Sequence, residues 1–121
     1  MSRNRKLTEC QMADFADDYA ERERLRRIIS ENARIVVAME LGVSVGTIQK
    51  VEKGQKVPRV APAKVAEVAR RRALYRLCLE LYQSDYSDRA LMARYDISKP
   101  TLLRRAQEYR AAQMESRRMA A

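Results

Sequence analysis

Histidine and tryptophan are absent from this 121-residue sequence, which has only 3 glycines, 3 prolines and 2 cysteines. Without histidine the chain lacks the commonest metal ligand and a ready general base. Two isolated cysteines, Cys10 and Cys78, cannot form a zinc site, so no metal is expected. Both lie in amphipathic segments and are expected to be reduced, packed thiols. No Gly-Lys-Ser/Thr element completes a phosphate-binding loop in GVSVGTIQ or EKGQKV. Carboxylate pairs such as Asp17–Asp18 sit on a charged helix face. We therefore expect no catalytic residue and no cofactor. Few turn residues and no alternating strand pattern predict an all-α fold of long helices. No run reaches the ~18 apolar residues that cross a bilayer, and MSRNRKLTEC lacks the apolar stretch of a signal peptide. No membrane partner and a cytoplasmic location are expected.

What is abundant is positive charge. Lys and Arg total 25 against 16 acids, a net charge of +9, which favours a polyanionic partner. The distribution is uneven. Lys53 to Arg76 holds 8 basic residues and one acid, Glu67, whereas Asp14 to Glu31 is nearly balanced. Apolar residues make up 46%, enough for one ordinary domain or two very small ones.

The most informative stretch is Asn32 to Pro58, NARIVVAMELGVSVGTIQKVEKGQKVP. Val37, Ala38 and Leu41 give a first helix its apolar face. Gly42 suits a tight turn, Val43 fills it, and Ser44 caps a second helix whose apolar residues are Ile48 and Val51. Gly54 then supplies a C-cap, with Pro58 shortly beyond. An ordinary αα-hairpin would share part of this pattern. Thr47-Ile48, Lys50, Glu52, Gly54 and Pro58 also resemble the lambda-repressor/Cro-like family over Asn32 to Arg72. That resemblance implies a helix-turn-helix whose second helix enters the DNA major groove. The family often has Gln near the start of the first helix. Ala33 and Arg34 stand there in this chain, and Arg34 is expected at a phosphate.

A second copy follows in SDYSDRALMARYDISKPTLLRR, Ser84 to Arg105. Asp96 matches Gly42, Ile97 matches Val43, Ser98 matches Ser44, Thr101 matches Thr47 and Leu102 matches Ile48. Ser87 caps a short helix containing Leu91, Met92 and Tyr95. This unit resembles the helix-turn-helix of resolvase- and transposase-like DNA-binding domains over about 35 residues. The competing reading is a helical hairpin used for dimerisation.

Around these units the chain divides into residues 1–60, 61–83 and 84–121. Residues 1–7 form a basic, mobile terminus, either a simple tail or an arm reaching DNA. Thr8 with Gln11 forms a capping box opening a helix that runs to about Ile29, either continuous or broken near Glu21–Arg24. Met12, Phe15, Ala16 and Tyr19 mark its buried face, which supports the first helix-turn-helix. QKVPRVAP is a basic linker or a plain loop. Pro62 opens a connecting segment through Tyr82, either one helix about 30 Å long or two helices meeting near Arg71. Ala106 to Ala121 extends the last helix or packs on a second subunit.

The partner expected from these features is double-stranded DNA, bound at the nucleoid by a bacterial, phage or plasmid transcriptional regulator, with a homodimer as the default state. Base contacts are expected from Ser44, Thr47, Gln49 and Lys50 and from Lys99, Thr101 and Arg104, with Gln49 suited to adenine. Phosphate contacts are expected from Arg34, Lys53, Lys56, Arg59, Ser98 and Arg105. The alternatives are a DNA-binding subunit of a recombination or packaging machine, and a protein-interaction adaptor that reuses the fold.

Overall fold

The structure is a computed structural model that describes residues 7–120. It is all-α. The helices are α1 (Glu9–Glu31), α2 (Arg34–Leu41), α3 (Val45–Glu52), α4 (Pro62–Leu81), α5 (Asp88–Tyr95) and α6 (Lys99–Ala120). A single π-helical turn, Tyr82–Tyr86, follows α4 directly. Among the described residues no helix is long and apolar enough to cross a membrane.

The local rules read from the sequence account for most helix ends. The Thr8 amide donates to Gln11 Oε1 at 2.9 Å and the Gln11 amide returns a bond to Thr8 Oγ1 at 3.2 Å. This reciprocal pair satisfies two donors that a helix start leaves open. α1 then continues without a break past Ile29. Pro62 opens α4, where a missing N–H costs nothing, and α4 is one uninterrupted helix through Arg71. α6 extends unbroken from the second turn to Ala120, settling the tail as helix.

Two compact units make up the chain. One combines the chain up to Glu23 with the chain from Tyr82 onward; the other is Arg24–Leu81. This grouping departs from the consecutive segments 1–60, 61–83 and 84–121. The reason is where α1 buries its apolar residues. Phe15 and Tyr19 join Leu7, Leu91, Tyr95, Ile97, Leu102 and Ala106 in one core, with Met92 and Tyr109 against it. The early part of α1 therefore supports α5 and α6, not α2 and α3 as expected. Leu7, assigned to a mobile terminus, is buried in that core; residues 1–6 of the same expected arm lie outside the described residues.

Aromatic contacts dominate this first core. Phe15 stacks on Tyr19 at 5.7 Å between centroids and meets Tyr95 edge-on at 5.4 Å, while Tyr109 tilts against Tyr19 at 5.2 Å. Such pairs add stabilisation beyond the area they bury. Arg22 is buried beside them. It donates to Asp88 Oδ1 at 2.5 Å and lies over the rings of Tyr19 and Tyr82. The Tyr95 hydroxyl donates to the Asp18 carboxylate. Burial, then that anionic partner, pushes the Tyr95 phenol upward, so it stays protonated.

The other unit is built differently. Its apolar core is small, with Val37, Ala38, Ile48 and Val68 flanked by Leu41, Val43 and Val51. Arginine supplies the rest of the fastening. Arg72, 4% exposed, donates to Glu52 Oε1 at 3.0 Å and to the Asn32 carbonyl at 2.7 Å, and its guanidinium lies 4.1 Å from the Tyr75 ring centroid. Arg71 donates to Asn32 Oδ1, to Glu40 and to the Glu31 carbonyl. Those guanidiniums satisfy carbonyls that the end of α1 leaves open. Arg34 also donates to Glu52 Oε1, at 2.9 Å, and Arg76 lies 3.9 Å from Oε2. Burial alone would raise the Glu52 carboxyl, but hydrogen bonds from Arg34 and Arg72 outweigh it and hold the group below its ordinary range.

Of the two cysteines, both free, Cys78 is buried as expected. Cys10 is exposed, because the apolar side of α1 at Phe15 and Tyr19 leaves it on the solvent side.

Candidate nucleic-acid interface

The two short hairpins obey the same backbone rules at an offset of 54 residues. Gly42 and Asp96 both occupy the left-handed region, at φ 67° and 50°. After each, the next amide reaches back five residues: Val43 to the Ala38 carbonyl at 3.0 Å and Ile97 to the Met92 carbonyl at 3.1 Å. That bond closes the end of the first helix and turns the chain toward the second. Ser44 then caps α3, its Oγ accepting from the Thr47 amide at 3.0 Å. In the second hairpin Ser98 Oγ and Thr101 Oγ1 are 3.1 Å apart, matching the 2.9 Å between Ser44 and Thr47. Ile48 and Leu102 plug the two hairpins, both buried.

At the far end of α3 the chain reverses cleanly. Lys53 is the half-helical cap, and Gly54 at φ 72° follows. The Gly54 amide bonds the Val51 carbonyl and the Gln55 amide bonds the Lys50 carbonyl, a Schellman closure.

These rules decide which expected contacts stand outward. On α3, Gln49 and Lys50 are exposed, and Lys53 lies one turn beyond Gln49. Lys56 and Arg59 are exposed in the segment before α4. Lys50, Lys53, Lys56 and Arg59 make no ion pair among the described residues. Gly46 lies on the same outer face. A Cβ built there would meet only Ser44 Oγ, at 3.7 Å, and its backbone is ordinary, so the hairpin itself does not require glycine. On α6, Lys99 and Arg104 are likewise exposed and make no ion pair among the described residues.

Other expected contacts are engaged inside the fold. Ser44 and the half-buried Thr47 turn their hydroxyls to each other in the cap. Thr101 is 8% exposed and is corrected from a base contact to part of the second hairpin's cap, because its position in the first turn folds the side chain back on Ser98. Ser98 is half-buried there. Arg34 is exposed but tied to Glu52. The Arg105 side chain is 17% exposed and bonded to Glu108 at 2.9 Å, since it shares the inward side of α6 with Leu102 and Ala106.

The dense basic run also divides. Arg70, Arg71, Arg72 and Arg76 are held by Glu67, Glu40 and Glu52. Charge counting along the sequence does not see this, because the paired acids Glu40 and Glu52 precede the run.

One outward residue was not anticipated. Leu103 is 51% exposed on α6, one turn from Lys99 and next to Arg104. The offset of 54 places it opposite Gln49, a signal present in the sequence.

Comparison with known proteins finds no matching family model, no matching curated protein and no matching solved structure.

Proposed function

We propose that this chain is a sequence-specific double-stranded DNA-binding protein, a transcriptional regulator of bacterial, phage or plasmid type that reads bases with two helix-turn-helix hairpins. The observation that carries the proposal is the sorting of its cations. Arginines at the junctions of helices are held by carboxylates, whereas the exposed Lys50 and Lys53 at α3 and Lys99 and Arg104 at the start of α6 make no ion pair among the described residues. A structural network consumes charge in pairs. A face that meets phosphate keeps its charge available.

In this reading Gln49 and Lys50 enter the major groove, and Gln49 donates to and accepts from the adenine edge. Gly46 lets the α3 backbone approach the groove wall. Lys53, Lys56 and Arg59 neutralise phosphates and fix register. In the second hairpin Lys99 and Arg104 face DNA, and Arg104 is suited to guanine O6 and N7.

The test is duplex affinity of the full chain between about 50 and 200 mM salt. The expected result is a linear fall of log affinity with log salt, with binding still measurable near 150 mM. Lys53→Ala should reduce the slope by about 1 while weakening all sequences alike. Loss of all duplex binding by physiological salt would refute the proposal and favour a protein-interaction adaptor.

A further inference from the structure

We infer that Leu103 is a base-reading residue of the second hairpin, and that it recognises the C5-methyl group of a thymine where Gln49 of the first hairpin recognises an adenine. The inference rests on the DNA-binding reading and adds a specificity determinant to it.

Three observations lead there. The first is equivalence. The left-handed turn residues, the Ser caps, the Thr partners and the buried Ile48 and Leu102 all match at an offset of 54, so Leu103 and Gln49 occupy one place on two similar hairpins. The second is exposure. Leu102 and Ala106 already fill the core side of α6 at 1% and 3% exposure, whereas Leu103 is 51% exposed. It points away from the core that could have used it. The third is its setting. Exposed Lys99 and Arg104 flank it, so the leucine stands among the cationic side chains that face DNA in this reading.

Within the major groove the thymine methyl is the one apolar feature of the base edges, and an apolar side chain is its natural partner. A leucine has no donor or acceptor to read any other edge. It leaves the polar groups of the other bases dehydrated and unpaired, which selects against them. Gln49 offers the opposite chemistry, one donor and one acceptor for adenine. The two hairpins of one chain therefore prefer different bases at matching places in their half-sites.

The test uses the DNA duplex that the full chain enriches from a random pool. Each thymine in it is replaced singly by uracil, which removes the methyl and keeps every hydrogen-bonding group. At one position this should weaken the wild-type chain about fourfold, the value of one methyl-sized group kept from water. Leu103→Ala should bind thymine and uracil equally at that position, and Leu103→Gln should shift its preference toward adenine. Circular dichroism of both variants should be unchanged, since the residue is half exposed. Methyl sensitivity that survives in Leu103→Ala, or is absent from every position, would overturn the inference while leaving DNA binding intact. Failure to enrich any duplex would instead remove the DNA-binding reading and this inference with it.

Discussion

The two hairpins share a backbone plan but are fastened by different chemistry. The α2–α3 hairpin rests on a small aliphatic core and an arginine–carboxylate hub in which Glu52 meets Arg34 and Arg72, with Arg76 nearby. The α5–α6 hairpin rests on an aromatic cluster of Phe15, Tyr19, Tyr95 and Tyr109. Five of the six tyrosines and the single phenylalanine belong to the unit that holds α5 and α6. The lesson concerns the turn geometry. Given a left-handed residue, a Ser cap and one buried aliphatic plug, the hairpin forms over either kind of support. The support then determines how each responds to pH and mutation.

The largest expected effect lies on the aromatic side. Phe15→Ala removes a ring 3% exposed that touches both Tyr19 and Tyr95, and should cost about 4 kcal/mol. With no tryptophan in the chain, tyrosine fluorescence during urea unfolding reports mainly on this unit. A cost under about 1 kcal/mol would mean that the aromatic cluster is not the support it appears from its packing.

Next is the hub. Glu52→Gln leaves the buried Arg72 without its counter-charge and should cost about 3 kcal/mol in the other unit. Because the folded-state Glu52 pKa is lowered, its stabilisation is present above the ordinary value of 4.5 and is lost as pH falls through the lowered one. Wild-type stability, followed by helix signal, should therefore fall below about pH 4.5. In Glu52→Gln that contribution to the acid slope should be missing. Equal acid slopes in the two proteins would contradict the hub.

A smaller effect separates reading from support. Gln49→Ala should cost about 2 kcal/mol on the preferred duplex and relax selectivity at one base pair, with the unfolding curve unchanged. If affinity for random DNA falls equally, Gln49 is not a base reader.

The smallest effect tests the turn itself. No atom would crowd a Cβ at Gly42, so Gly42→Ala carries only the conformational cost of φ 67°, about 1 kcal/mol. Asp96→Gly relieves the same conformation in the second hairpin and should stabilise it by about 0.5 kcal/mol. Thermal unfolding distinguishes the two signs.

Much of this was legible in the sequence. Gly42, Ser44, Asp96 and Ser98 mark the hairpins because turn and cap chemistry act over three or four residues. The Thr8–Gln11 box and Pro62 mark helix starts for the same reason. What was hidden is long-range. Nothing local tells that Phe15 and Tyr19 pack with residues some 80 positions later, or that Arg71 and Arg72 close the end of α1. The expected contacts that the fold engages follow from this. Thr101 and Arg105 have polar side chains, and only the path of α6 against its core reveals that they turn inward.

The most direct test of two different readers in one chain is selection of bound fragments from random duplex DNA by the full-length protein at about 150 mM salt. The account predicts one enriched motif built of two dissimilar half-motifs, one with an adenine that depends on Gln49 and one with a thymine that depends on Leu103. An enriched inverted repeat would contradict it by showing one reader per subunit in a symmetric dimer. No enrichment would contradict sequence-specific binding altogether.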